Sequence, residues 1–507
     1  MATKLLCEIR SSGCALLSVN RCWIKNNRLF SATTDERISE PTEFSDYLNS
    51  LTNYEKSGVP DFAGTDSNEG LDLGRMRRLL RCLDNPQSKF MSVHIAGTKG
   101  KGSTAAFIAS ILRSEGYSVG CYTSPHLLSI LERMTLGTSG NPVSAEDLIN
   151  LFHKIKPNID KAIVNEKGNL THFEILTATA FSLFADKNVD IAVIEAGLGG
   201  ARDATNVIAP SELACAVITT IGEEHMRALG GSVESIAAAK AGIMKRHRPV
   251  ILGGPFQPHI EHIIREKAAA LNSLVISSND VGSASSLKEL RLPFQHCNVK
   301  IEDKACPYLS LELPNVKLRM LGRHQLRNAL TGACTALTLR NEGWTVSNES
   351  IKEGLERAYM PGRFQFLSAR EADAIGLPGV VILLDGAHTK DSAKAVAETV
   401  GYAYPEGEVV LVVAMANDKD HWSFAREMLL GIRRLAGVVL TEVTVAGGSD
   451  RSTPAAILRD RWKETANELG IESEIVDADC VQNCVVRVKK MVSCLPPNKQ
   501  RVVAVSG

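Results

Sequence analysis

From about residue 90 the spacing of apolar positions switches repeatedly between the period of a strand and that of a helix. Residues 92–96 form a short apolar run, and 103–115 then place Ala105, Ala106, Ile108, Ala109, Ile111 and Leu112 at helical spacing before Gly116 stops the pattern. Further strand-like runs occupy 118–123, 191–194, 214–221 and 250–252, separated by helix-forming stretches such as 173–185 and 233–244. Strands that alternate with helices predict a mainly parallel sheet covered on both faces. A second series begins near residue 380, with strands expected at 380–384, 409–414, 437–440 and 502–505. The junction between the series is placed at 341–362, which opens Asn341-Glu342-Gly343 and closes Met360-Pro361-Gly362. Because the chain stops at Val505-Ser506-Gly507, where a covering helix is due, the expectation is a truncated second domain with an exposed apolar edge.

Length and composition narrow this picture. At roughly 100–200 residues per domain, 507 residues suggest two to four domains. Hydrophobic residues at 44% and charged ones at 22% disfavour wholesale disorder or a fibrous repeat. Lys plus Arg (57) balance Asp plus Glu (57), so no global field attracts nucleic acid or an anionic membrane, and an anionic ligand needs a local site. No apolar run approaches the ~18 residues of a spanning helix. The twelve Cys contain no CxxC pair and read as scattered thiols of a reducing compartment.

Charge is uneven in one place. Residues 1–34 carry Lys4, Arg10, Arg21, Lys25 and Arg28 against Glu8, net +4, which leaves the rest of the chain at net −4. With Ser and apolar residues interleaved, this segment has the composition of a mitochondrial or plastid transit peptide, although a frayed basic tail has the same composition. Arg28-Leu29-Phe30-Ser31 resembles a mitochondrial processing site. The expected location is the mitochondrial matrix, with plastid or cytosol as alternatives.

The strongest chemical signal is His94-Ile95-Ala96-Gly97-Thr98-Lys99-Gly100-Lys101-Gly102-Ser103-Thr104, a Gly-rich turn between an expected strand and helix. Glycines let backbone N–H groups turn toward an anion, the helix N-terminus adds partial positive charge, and Lys101 can reach terminal phosphates. The turn reads as a nucleotide triphosphate cradle, with Gly102 inserted into the common GxxxxGK[ST] pattern.

The wording GTKGKGS resembles the folylpolyglutamate synthase and dihydrofolate synthase family, relatives of the Mur ligases. Further matches follow in that family's order: Thr123-Ser124-Pro125-His126-Leu127, Glu132-Arg133, Phe173-Glu174, Glu195-Ala196-Gly197-Leu198-Gly199-Gly200 with Asp203-Ala204-Thr205-Asn206, His225, Lys240-Ala241-Gly242-Ile243, Gly322-Arg323-His324-Gln325 with Asn328-Ala329, Pro361-Gly362-Arg363-Phe364-Gln365, and Asp385-Gly386-Ala387-His388. The resemblance implies an α/β fold: a Mur-ligase-like P-loop ATPase domain over 38–345 and a smaller Rossmann-like α/β domain over 360–507. It also implies ATP-driven joining of L-glutamate to a folate-type carboxylate through an acyl phosphate, with Mg²⁺. The expected partners are these small molecules alone, on a monomer, with no nucleic acid and no membrane.

The same resemblance assigns roles. Gly100, Lys101, Gly102 and Ser103 match the ATP-phosphate loop. Ser124, Glu195 and His225 match magnesium ligands; by residue type alone Glu195 could equally cap the next turn, His225 would be structural, and Ser124 would pass unnoticed. The Glu224 before His225 replaces the family's usual aspartate. Lys240 matches a lysine that can be carbamylated by CO₂ to bind a second Mg²⁺, where the ordinary reading is a helix cation. A monovalent cation requirement stays open. Arg363 and Asp385 match ATP-binding residues of the second domain, Asn328 falls by the adenine, and His388 near glutamate or phosphate. Arg133 matches the folate-binding region; its alternative is an exposed cation. The charges that an inactive homologue would lose are present.

Two reactions remain within the family: addition of the first glutamate to dihydropteroate, and extension of a folate. Pro361-Gly362-Arg363-Phe364-Gln365 and Lys240-Ala241-Gly242-Ile243 resemble the forms in bacterial bifunctional enzymes and eukaryotic dihydrofolate synthases, rather than the PGRTQ and KGGI of eukaryotic polyglutamating enzymes. With the basic N-terminus, the chain is most similar to the plant mitochondrial dihydrofolate synthases.

Overall fold

The structure, a computed structural model, describes residues 41–66, 70–286, 294–302, 309–443 and 451–507. The basic segment 1–34 lies outside the described residues.

Eight strands build the first sheet: β1 Met91–Ala96, β2 Val119–Tyr122, β3 Met134–Leu136, β4 Asn141–Pro142, β5 Ile191–Glu195, β6 Leu213–Ile218, β7 Val250–Leu252 and β8 Val275–Ser277. Their order is β4-β3-β2-β5-β1-β6-β7-β8. The pairs from β2 through β8 run parallel, and β3 and β4 form an antiparallel margin. Two apolar layers sandwich the sheet. Alternate residues of β1 feed opposite layers: Ala96 joins the cluster containing Phe152, Phe181 and Ile264, whereas Val93 and Ile95 join the one containing Phe107, Leu337 and Ile351. Continuous apolar strands are what burial on both faces demands.

The expected strands and helices are present, with shifts that have local causes. The strand expected to reach 221 stops at Ile218, because Thr219 and Thr220 leave the sheet to hold the loop after β1. Thr219 Oγ1 donates to the Lys99 carbonyl at 2.6 Å, and Thr220 Oγ1 accepts from the Lys99 N–H at 2.9 Å. Several elements go beyond the sequence reading, among them the short strands β3 and β4, the parallel strand β8 and, in the second domain, the strands 365–366 and 474–478. Strands β9 Gly282–Ser286, β10 Gln295–Glu302 and β11 Ser310–Leu318 make an antiparallel sheet of their own. The junction 341–362 contains the helix Asn348–Arg357, whose Ile351 and Leu355 are buried in the first domain's core.

The second sheet comprises β12 Gln365–Phe366, β13 Val381–Asp385, β14 Glu408–Val413, β15 Leu435–Thr441, β16 Glu474–Ala478 and β17 Arg501–Ser506, in the order β12-β13-β17-β14-β15-β16. All its pairs are parallel except β12–β13. The exposed apolar edge expected at the last strand does not exist. β17 is interior, paired with β13 on one side and β14 on the other. Val502 and Ala504 pack into one apolar layer, and Val503 and Val505 into the other beside Val488 and Val492 of the helix Val481–Cys494. That helix precedes the strand in sequence, so the cover comes from before β17 rather than after it.

Candidate active site

The loop after β1 meets the helix Lys101–Ser114 end-on. Gly97 has φ +153 and Gly100 φ +82, backbone that L side chains rarely adopt. Space forbids side chains too: a Cβ on Gly97 would lie 1.8 Å from Thr219 Oγ1, and one on Gly100 2.5 Å from Asn328 Oδ1. No side chain caps the helix at Gly100, so its first N–H groups point at whatever anion arrives. Lys101 stands in the first turn, its Nζ 3.8 Å from Glu195 Oε1.

Glu195 ends β5, at the edge where parallel strands deliver ligand-binding groups. It is buried, and its Oε2 accepts the Ser124 N–H at 3.2 Å. Burial pushes its pKa up; Lys101, the Ser124 N–H and Arg363 pull it back only in part. A buried carboxylate with one long backbone bond and one distant ammonium has unused acceptor capacity, which a cation beside it would satisfy. His225 takes a left-handed φ of +52 and lies within electrostatic reach of Glu224, Lys240 and Lys101. Among the described residues no three His, Cys, Asp or Glu side chains already form a metal cage. Glu195 has the acceptor capacity that fits a divalent cation, and Ser124, whose N–H it accepts, and His225 could complete a donor set together with substrate oxygens.

Lys240 is 5% exposed, and its Nζ donates to the Gly97 carbonyl at 2.8 Å. Burial, reinforced by Lys101, pushes its pKa down to about 7. Lys99 pairs closely with Glu224, so the residue replacing the family's aspartate braces the phosphate loop from outside.

The second domain contributes from the C-terminal ends of its own strands. Asp385 ends β13 and accepts the Phe364 N–H at 2.9 Å, while the Gly386 N–H donates to the Gly362 carbonyl at 2.9 Å. Burial raises the Asp385 pKa and Arg363 lowers it, and the same guanidinium acts on Glu195 across the domain boundary. His388 Nδ1 lies 2.9 Å from the Gly386 carbonyl, to which it donates. Burial, with Lys99 adding to it, takes the His388 pKa down to about 4.

Lys101, Ser124, Glu195, His225, Lys240, Asn328, Arg363, Asp385 and His388 therefore converge from two sheets on one cleft, whereas Arg133 is engaged elsewhere. Asn328 sits against the phosphate loop: its amide donates to Gln325 Oε1 at 2.9 Å, and Gln325 donates to Ser103 Oγ at 3.3 Å. Arg133 is no exposed cation. It is 1% exposed, chelates the Glu55 carboxylate at 2.7 and 2.8 Å, and donates from Nε to His126 Nδ1 at 2.8 Å. Lys419 was missed by the sequence reading, yet its charge bears on both His225 and His388. Its signal was available: Asp418-Lys419-Asp420 follows β14 and precedes the helix His421–Gly431, the position where open parallel sheets bind ligands.

Two facing α/β domains with a phosphate loop in one and an arginine and aspartate offered by the other define a two-domain nucleotide-dependent ligase fold. Residues 95–336 match the Mur ligase middle domain and 362–505 the glutamate ligase domain of Mur ligases. The chain is 33% identical over 359 residues to the dihydrofolate synthase/folylpolyglutamate synthase of Bacillus subtilis, covering 70% of this chain and 78% of that protein. It is 29% identical to the dihydrofolate synthetase of Saccharomyces cerevisiae, covering 73% and 81%. The crystal structure of folylpolyglutamate synthase from Thermotoga maritima superposes with a TM-score of 0.71 at 28% identity, over 92% of this chain and 93% of that one. The Mycobacterium tuberculosis folylpolyglutamate synthase, complexed with ADP and AMPPCP, shares the fold with a TM-score of 0.75 at 23% identity, over 92% and 95%. The chain belongs to the dihydrofolate synthase/folylpolyglutamate synthase family of Mur-type amide-forming ligases.

Proposed function

We propose that the protein joins L-glutamate to 7,8-dihydropteroate at the expense of ATP, forming dihydrofolate in the mitochondrial matrix. The carrying observation is the cleft itself: Lys101 beside Glu195 on one domain faces Arg363 of the other. The substrate carboxylate is a poor electrophile until one of its oxygens bonds to the γ-phosphorus and ADP leaves. The glutamate amine then attacks the acyl carbon, inorganic phosphate departs, and the nitrogen loses a proton. Catalysis of such transfer is chiefly positioning and charge neutralisation. Lys101 and the N–H groups after Gly100 neutralise phosphate oxygens from below, and Arg363 does so from across the cleft. Gly102 and Ser103 let the backbone approach. Asp385 is placed to hold the ribose and Asn328 the adenine side of the loop. Ser124, Glu195 and His225 would hold a divalent cation, Mg²⁺, which would supply further charge neutralisation.

His388, neutral at pH 7 because burial holds its pKa near 4, orients glutamate or phosphate without adding charge. Lys240, with a pKa of about 7, is partly free amine at neutral pH and able to add CO₂, releasing a proton and becoming an anionic oxygen donor. Arg133 serves the folate region by fixing the loop that starts at Ser124. The sequence forms around Phe364 and Ala241 support first-glutamate addition. A bifunctional enzyme is the second reading, favoured by the double name of the B. subtilis relative.

The test supplies the full chain with ATP, Mg²⁺ and L-glutamate, and either 7,8-dihydropteroate or tetrahydrofolate, and resolves products by mass. One glutamate added only to dihydropteroate supports the proposal. Extension of tetrahydrofolate alone replaces it with polyglutamylation, and turnover of both makes the enzyme bifunctional. A reporter carrying residues 1–34 should enter mitochondria; cytosolic retention rejects that part.

A further inference from the structure

Two polar clusters outside the reaction cleft meet at the domain boundary. In the second domain the loop after β14 is tied down by Arg451. Its guanidinium chelates the Asp418 carboxylate at 3.0 and 3.1 Å, and its carbonyl accepts the Asn417 N–H at 2.8 Å. Asp418 precedes Lys419, the ammonium that bears on His225 and His388. In the first domain the short helix Tyr54–Ser57 presents Glu55 to the buried Arg133. Burial alone would raise the Glu55 carboxyl, but the Arg133 bonds and charge hold it below the usual range, so the pair is ionic.

Among the described residues the clusters meet where Arg451 Nη1 donates to the main-chain carbonyl of Glu55 at 3.0 Å. From there the path crosses Glu55 itself, whose carboxylate is held by Arg133, which in turn donates to His126 Nδ1. His126 lies two residues beyond Ser124, whose N–H is bonded to Glu195. The guanidinium suits this junction because its rigid fork places one nitrogen on the carboxylate and another on the carbonyl, a spacing that the single nitrogen of an ammonium does not provide.

We propose that Arg451 is a positioning residue, an interdomain latch that sets the Lys419 loop of the second domain against the Ser124 loop of the first through Glu55, Arg133 and His126. Its catalytic consequence rests on the ligase reading; its structural consequence does not. Arg451 touches no reacting atom. It acts by making the two halves of the cleft close in one register.

The test uses the full chain with Arg451→Lys, which keeps a cation for Asp418 but removes the second nitrogen that reaches Glu55, and with Asp418→Asn, which loosens the hold on Arg451 from the other side. Hydrogen exchange is read by segment without substrates, together with melting temperature and steady-state kinetics. Both variants should melt like the parent and speed exchange roughly tenfold at 54–57 and 124–133 as well as at 416–420, the size expected of one charge-assisted hydrogen bond. They should lower kcat by a similar factor with little change in KM for ATP. Faster exchange confined to 416–420, or parental exchange at 124–133 in either variant, overturns the latch. If the parent ligates neither acceptor the functional reading fails, while the exchange pattern still decides the latch.

Discussion

His94 is a fully buried histidine whose neighbours set its tautomer. It lies on β1 with no exposed surface, its Nε2 2.8 Å from Thr205 Oγ1, and that hydroxyl donates to Asp203 Oδ1 at 2.5 Å. The hydroxyl proton being committed, Nε2 must be the donor, which fixes the neutral tautomer and leaves Nδ1 without a partner. Burial, aided by the charge of Lys245, pushes the pKa down to about 3. The unfolded chain takes up a proton at His94 below about pH 6.5 and the folded chain does not until about 3, so this residue erodes stability as pH falls through that window and has no effect above it. At pH 5 the loss is about 2 kcal/mol by linkage. A His94→Gln variant, which keeps a donor but cannot titrate, should therefore lose less stability between pH 7 and pH 5 than the parent. Urea melts at both pH values check this, and equal pH dependence of the two proteins would show that His94 is not the titrating group.

At the scale of elements, the helix Asn348–Arg357 shows how a segment read as a linker becomes part of a domain. Gly354 lets it lie against the phosphate-loop helix so closely that an added Cβ would fall 2.3 Å from Ile111 Cα. Replacing a helix-interior glycine by alanine ordinarily stabilises by about 1 kcal/mol. Here the obstruction is backbone, which cannot step aside, and overpacking costs about 1–3 kcal/mol. Gly354→Ala should thus lower the melting temperature, with the helix that carries Lys101 displaced; a rise would mean the two helices separate freely. The sequence hides this contact because Gly354 sits in a polar stretch, Glu353-Gly354-Leu355-Glu356, beside a Gly-rich junction. By contrast the central parallel strands were legible, since burial on both faces writes an uninterrupted apolar run, whereas the parallel edge strands β8 and β16, short or partly exposed, were not. β10 was not: Gln295, Cys297, Val299 and Ile301 face inward between His296, Asn298, Lys300 and Glu302, and such alternation is thinly marked in a polar segment. In the site, Lys101 and Glu195 stand out by their place between strand and turn. Lys240 and Lys419 do not, because what distinguishes them is what surrounds them.

For the whole molecule, the division of the cleft between two bodies predicts a division of kinetic labour. The phosphate loop, its helix N-terminus and Lys101 belong to one domain and meet nucleotide however the domains are disposed. Arg363 belongs to the other, and its charge is spent in the resting protein against the half-buried Asp385 and the buried Glu195, whose carboxyls it pulls down. Its gain on meeting an extra phosphate charge is therefore small in the ground state and larger when negative charge spreads over the transferring phosphoryl group. Only such a differential interaction raises kcat. Arg363→Ala should bind a non-hydrolysable ATP analogue within about tenfold of the parent and lower kcat by about 100-fold or more. The variant also leaves Asp385 and Glu195 less compensated, so their carboxyls should titrate higher and the acid limb of the pH–rate profile should move to higher pH. Equal losses in analogue affinity and kcat would place Arg363 among ground-state binders and leave the first domain as the seat of charge stabilisation.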